Sequence, residues 1–274
     1  MVSPQLGSGS PDHLAADHLA ADYLATVQSS AVALADLAED DPTLIVPGCP
    51  AWTLADLVHH VGAVYLHVSE LTRSRPVSGK EVKTRLGPVR APAPGTMRAW
   101  FTQATDTLVD TLAAAGEDER IWSWSSERTV AFWIRRMCHE TVVHEWDAAS
   151  AHGEDLRIEP GLAGDGIDEF VTHFVPLMRR RRSAVAASGE HYLVECTDVA
   201  SASWDVAFGE GALDAGADGS GTAPPDPNPV ALRGAAQDLL LRFWRRPLQP
   251  NPDPDPDSLT AAGFERWWRV VGCP

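Results

Sequence analysis

Apolar residues recur at helical spacing through the first half of the chain, and the pattern predicts four helices. Residues 1–11 are rich in Ser, Gly and Pro and read as loose. Asp12-His13-Leu14-Ala15-Ala16 is repeated as Asp17-His18-Leu19-Ala20-Ala21 and opens the first helix, which runs to about Leu37. His13 and His18 are five residues apart, share no face, and read as solvent-exposed. The second helix covers about 53–74, with Thr53 as N-cap and Asp56 in the reciprocal capping position. Leu54, Leu57, Val58, Val61, Val64, Tyr65, Val68 and Leu71 form its apolar face. The third, about 96–115, presents Met97, Trp100, Phe101, Ala104, Leu108 and Leu112, and the fourth runs from about 128 to 152. Pro/Gly-rich sequence from Arg75 to Gly95 reads as a crossover or lid, and Ile121–Trp124 as a short connection. Four helices with one long connection match a bundle, whose metal sites form between facing helices.

The pattern changes near Pro160. A helix through Ile167, Phe170, Val171, Phe174 and Leu177 ends in Arg179-Arg180-Arg181-Arg182, read as a solvated end that complements the helix dipole rather than as an anion site. His191–Cys196 and Ala202–Phe208 alternate or run apolar as short strands. Gly211 to Pro229 reads as a mobile loop, 233–246 as a helix, Pro250–Asp257 as extended chain, and Phe264, Trp267, Trp268 and Val271 as a final short helix. The expected class is α+β: a four-helix bundle over 12–155, then a smaller α+β domain over 160–274.

The candidate chemistry lies on the fourth helix. Glu140 and His144 are four residues apart and stack on one face with Trp133, Met137 and Ala148. A carboxylate and an imidazole inside an apolar stripe must be paired, and metal coordination is one arrangement that does this. A core His–carboxylate pair or a wet helix face satisfies the same pattern. On the second helix, His60 sits at the edge of the apolar face and His59 points away, towards water. His60, Glu140 and His144 make a two-His, one-carboxylate set, and three protein ligands with one free position describe a catalytic zinc site. His139-Glu140 followed by His144 resembles the zinc-protease HExxH signature, but the spacing is one residue too long. His139 and His144 cannot both face one ion, so a metalloprotease is disfavoured.

The run Val46-Pro47-Gly48-Cys49-Pro50-Ala51-Trp52-Thr53-Leu54-Ala55-Asp56-Leu57-Val58-His59-His60-Val61-Gly62 resembles the first signature of the mycothiol-dependent maleylpyruvate isomerase family. That family belongs to the DinB-like metal-binding four-helix bundles. A second signature, Arg-x-x-x-His-Glu-x-x-x-His-x-x-Asp-Ala, is similar to Arg135 through Ala148. A third match runs from Gly234 through Arg246 and looks like a segment of the family's small C-terminal domain. The resemblance implies a zinc-like divalent ion on His60, Glu140 and His144, with mycothiol, the small thiol of actinobacteria, as co-substrate. In the family's namesake reaction a thiolate adds to an activated cis double bond, rotation follows, and elimination releases the trans isomer. The same activated thiol adding to an electrophile gives conjugation instead. Where the family carries Gly before its last Arg, this chain has Arg245.

Three further residues are candidates. Asp147, one turn beyond His144, is placed either to orient that imidazole or as an exposed helix-end carboxylate. His67 follows His60 by two turns and reads as a substrate contact or a rim histidine. Arg246 is placed to fork a substrate carboxylate or is a surface arginine.

The resemblance implies a small-molecule thiol and a small electrophilic or unsaturated acid substrate as partners, and composition limits the alternatives. The chain has 274 residues, 44% of them hydrophobic, enough for a sizeable core in two domains. A formal net charge of −16 argues against nucleic acid or an anionic membrane as partner. Cys49, Cys138, Cys196 and Cys273 are widely spaced, without CxxC, so reduced and mostly buried thiols are expected. No stretch is long enough to span a bilayer and no basic-then-apolar leader opens the chain, so the cytoplasm is the expected compartment. Lys80 and Lys83 are the only lysines, a bias that suits a GC-rich actinobacterial source. A non-catalytic metal- or thiol-binding protein and a water-using metal hydrolase are the alternative classes.

Overall fold

The apolar stripes of the first unit are read out as long helices because each buries one face against its neighbours. They are α1 (Ala20–Asp40) and α2 (Leu54–Ser74), the short α3 (Gly79–Arg85), then α4 (Met97–Ala114) and α5 (Val130–Ala151). The computed structural model describes residues 20–93, 95–181, 190–208, 213–215, 229–247 and 261–271. The expectations for residues 1–11, His13, His18, Arg182, most of Gly211–Pro229, Pro250–Asp257 and Cys273 fall outside the described residues. The chain divides into two compact units, His18–Ile158 and one that continues from Glu159. In the first, α1 packs on α5 and α4, and α2 on α4 and α5. This is a four-helix bundle filled by Leu34, Leu57, Val61, Tyr65, Phe101, Leu108 and Phe132, all at most 2% exposed.

Two local devices place the helices that matter. Thr53 accepts a hydrogen bond from the Asp56 N–H, and the Asp56 carboxylate accepts from the Thr53 N–H at 3.0 Å, closing a capping box at the start of α2. A cap of this kind contributes about 1 kcal/mol. The Thr53 backbone and hydroxyl donors hold the Asp56 carboxyl below the usual carboxylate range. At the other helix, the Thr129 hydroxyl caps α5 by accepting from the Phe132 N–H at 3.2 Å. Gly62 is where α2 meets α4: a Cβ there would lie 2.5 Å from the Trp100 ring.

The connection Arg75–Gly95 differs from the sequence expectation. Residues Gly79–Arg85 form α3, capped by Ser78 and supported by a Glu81–Arg85 pair one turn apart, so the stretch is only partly irregular. The chain that follows lies back on α2. His67 Nε2 stands 2.9 Å from the Gly87 carbonyl and His59 Nε2 stands 3.2 Å from the Val89 carbonyl. His59 is therefore only partly open to water; it is half-buried, with its ring 5.6 Å from that of Trp100.

The second unit opens with α6 (Pro160–Glu169), a π-helical turn (Phe170–Phe174) and α7 (Val175–Arg181). One continuous α-helix was expected over this stretch. Pro176 removes an N–H from the helical ladder, and the backbone widens immediately before it. Arg179 is not merely solvated: its guanidinium lies 5.4 Å from the centre of the Phe208 ring and donates to the Val270 carbonyl. A four-stranded sheet, ordered β3-β2-β1-β4, follows from β1 (His191–Cys196), β2 (Ser203–Phe208), β3 (Leu213–Ala215) and β4 (Val230–Gly234). β4 pairs parallel with β1, and the other pairings are antiparallel. Arg233 and Gly234 therefore end a strand rather than begin a helix, and α8 covers only Ala236–Phe243, before α9 (Ala261–Val271). Leu213–Ala215 likewise pairs as a strand where a loop was expected. Tyr192, Val194, Phe208, Leu232, Phe243 and Trp267 fill the core of this α+β unit. Among the described residues, no helix is long and apolar enough to cross a membrane.

Candidate metal centre

The helix spacing that puts Glu140 and His144 on one face of α5 also puts them opposite His60 of α2. Glu140 Oε1 lies 3.2 Å from His60 Nε2 and 3.4 Å from His144 Nε2. One donor atom from each of the three residues falls within 4.8 Å of the others, the only such group among the described residues. A tetrahedral ion with bonds of about 2.0–2.1 Å places its ligand atoms about 3.3–3.4 Å apart. The two measured carboxylate–imidazole separations bracket that value, and two imidazoles with one carboxylate are a donor set that zinc accepts. The residues fit a divalent ion.

The helices are tied together beside the site. The hydroxyls of Tyr65 on α2 and Thr141 on α5 are 2.5 Å apart and buried, which fixes the approach of one helix to the other. The His60 and His144 rings meet edge to face, with centroids 5.3 Å apart. The segment before α2 is folded back by hydrogen bonds from Val46 N–H to the Trp52 carbonyl and from Trp52 N–H to the Cys49 carbonyl. That turn lays the Trp52 ring against His60, centroid to centroid 4.7 Å. The side chains of His144, Glu140 and His60 are 9%, 17% and 36% exposed, so the site opens on the His60 side, beside Trp52.

Asp147 is fully buried, not an exposed helix-end carboxylate, and its Oδ2 lies 2.9 Å from His144 Nδ1. A proton held on Nδ1 leaves the Nε2 lone pair directed at the site, the tautomer that a metal ligand requires. Burial disfavours protonation of His144, but hydrogen bonds to Asp147 and Glu140 and their charges outweigh it and raise its pKa above the ordinary imidazole value. Burial likewise opposes ionisation of Glu140. The Arg136 guanidinium, with His144 and His60, overcomes it and holds the carboxyl well below the usual range. Arg136 Nη2 lies 2.5 Å from Glu140 Oε2, and Arg136 is itself buried.

The remaining candidates have other partners. His139 is buried, with its ring 6.1 Å from that of Tyr23 on α1, and does not join the cluster. His67 is engaged with the Gly87 carbonyl. Arg246, in the second unit, is buried and not a surface arginine; its Nη1 donates to the Trp244 carbonyl at 2.9 Å. It follows a Schellman turn at the end of α8, where Arg245 N–H bonds to the Arg242 carbonyl and Arg246 N–H to the Leu241 carbonyl. That turn needs a left-handed residue, which explains the family's glycine. Arg245 adopts φ 59° in its place, with its guanidinium 5.3 Å from the centre of the Trp268 ring. The departure from the family pattern thus keeps the backbone turn that precedes Arg246.

Of the chain's thiols, Cys49 is half-buried and Cys138 and Cys196 are buried; burial pushes Cys196 up to about 12. A cavity of about 450 Å³ between α1, α2 and the start of α4 is lined by residues such as Ala35, Val58 and Met97, and none of the three converging residues borders it. Sequence reasoning did not single out Arg136 or Trp52. Arg136 was detectable, because it stands four residues before Glu140, where opposite charges pair along a helix. Trp52 was not, because its placement depends on the turn at Val46–Trp52.

Neither a curated protein nor a solved structure matches the chain. The sequence model of the mycothiol maleylpyruvate isomerase N-terminal domain matches residues 23–149, the stretch that holds all three converging side chains. Over residues 23–149 the chain is similar to that family's N-terminal domain, in support of the resemblance read from the sequence.

Proposed function

We propose that His60, Glu140 and His144 hold a divalent ion, zinc by the character of its donors, and that the protein is a thiol-dependent enzyme. Mycothiol is its co-substrate and a small unsaturated acid or other electrophile its substrate, with the cytoplasm as its place of work. The observation that carries this reading is the convergence of three donor atoms within 4.8 Å of one another, on a face left open beside Trp52. When bound, such an ion supplies Lewis acidity that stabilises a thiol as thiolate near neutral pH.

The chain's own residues set the conditions for that chemistry. Asp147 holds the His144 proton on Nδ1, away from the site. Arg136, Glu140 and Asp147 carry one positive and two negative charges, so a divalent ion leaves this buried group singly positive. A net positive, partly dry site favours an anionic ligand over a neutral one. Trp52 supplies an apolar wall beside His60. Thiolate addition to the cis double bond, rotation, and elimination of the same thiolate return the trans acid, with atoms and electrons balanced.

Turnover of maleylpyruvate, and of a panel of electrophiles, by zinc-loaded protein with and without mycothiol tests the assignment. Turnover that requires the thiol is the expected result. Thiol binding without turnover would replace the enzyme with a binding protein, and equal activity without thiol would replace it with a hydrolase.

Metal retention should depend on pH in a stated direction. Both imidazoles must be neutral to coordinate, so protons compete with the ion. The His144 pKa is raised in the metal-free site, so competition begins above the ordinary imidazole value of about 6.5. Affinity should be flat at higher pH and fall about tenfold per pH unit below that point. Chelator competition across the range measures this, and affinity unchanged well below pH of about 6 would point to ligands other than histidine.

A further inference from the structure

The Glu140 carboxylate is shared between two sets of partners. Its Oε1 faces His60 Nε2 and His144 Nε2, while its Oε2 is taken by Arg136 Nη2 at 2.5 Å. Arg136 is 4% exposed and sits one turn before Glu140 on the same helix, so packing and the helix backbone both limit its retreat. A carboxylate that is free on both oxygens can close on an ion with either one or two of them, and two would fill a further coordination position. A guanidinium on one oxygen removes that choice.

We infer that Arg136 is a positioning residue that restricts Glu140 to one-oxygen ligation and so keeps a coordination position free for the thiol. The inference rests on the metal reading proposed above. It concerns the ligand mode of the site rather than its existence. Arg136 touches neither thiol nor substrate in this account; it acts through Glu140. Its charge does a second thing, since it offsets Glu140 and leaves the loaded site attractive to an anion.

Difference infrared spectra of the wild-type protein, taken as zinc is added, test the claim directly. A one-oxygen carboxylate ligand gives a wide splitting between its antisymmetric and symmetric stretches, and a two-oxygen ligand gives a narrow one. The wide splitting is expected. Arg136→Met, checked for folding by its thermal melt, should convert it to the narrow form and weaken both metal and mycothiol binding, the metal by about 10- to 100-fold. Arg136→Lys, whose ammonium still occupies Oε2, should restore the wide splitting. A narrow splitting in wild type, or a wide one in folded Arg136→Met, overturns the inference while leaving the metal site standing. Should Arg136→Met not fold, the wild-type spectrum still decides. Wild-type protein that takes up no zinc overturns both the inference and the reading beneath it.

Discussion

Protein carrying His144→Ala is expected to purify without its metal, and His60→Ala and Glu140→Ala should behave alike. Wild-type protein should hold close to one divalent ion per chain. Each substitution removes one of three converging donors, and two remaining side chains do not make a catalytic zinc site. The loss should exceed about 100-fold in affinity, beyond the range seen when only a supporting partner of a ligand is removed. Asp147→Asn should show that smaller effect, about 10- to 100-fold, because it leaves the imidazole in place and disturbs only its tautomer and orientation. His59→Ala and His139→Ala should keep full metal. His59 is turned to the Val89 carbonyl and His139 to Tyr23, so neither donates to the cluster, although loss of the buried His139 ring will lower stability. Elemental analysis and chelator competition read all six variants. Full occupancy in His60→Ala and His144→Ala would remove the site.

Much of the bundle was legible because its helices are amphipathic and capped by residues that sequence alone reveals. Thr53 with Asp56 marked the start of α2, and the 3.6-residue period put Glu140 beside His144. The angular position of His60, at the edge of an apolar face, is what lets it reach across to α5. Legibility failed where tertiary packing decides. His59 lies outside the apolar face of α2, yet the chain after α3 folds over it, a contact that no local pattern encodes. In the second unit, Arg233 and Gly234 join β4 because β1 offers a parallel partner, which overrides the helical look of the sequence that follows. The stretch before Pro176 reads as one continuous helix, and only the backbone shows that its ladder widens to a π turn there. The glycine missing before Arg246 is a departure from the family pattern in sequence. It is a left-handed position that Arg245 fills.

The second large effect expected is in thiol binding, which separates this account from ordinary metal-dependent hydrolysis. Cys138 and Cys196 are buried and Cys49 is not one of the converging donors, and the proposed mechanism takes its attacking sulfur from the co-substrate. A thiol that enters a site of net positive charge as thiolate gives up its proton. Mycothiol should bind more tightly than cysteine, because its sugar adds polar contacts that a minimal thiol lacks. The change of protonation, unlike affinity alone, reports the chemical form in which the sulfur is held.

Calorimetric titration of mycothiol into zinc-loaded and zinc-free protein, in buffers of different ionisation enthalpy, measures that form. The account predicts a heat that varies with the buffer, corresponding to about one proton released per thiol bound, and its disappearance when the metal is removed. A buffer-independent heat, or the same proton release from zinc-free protein, would contradict it.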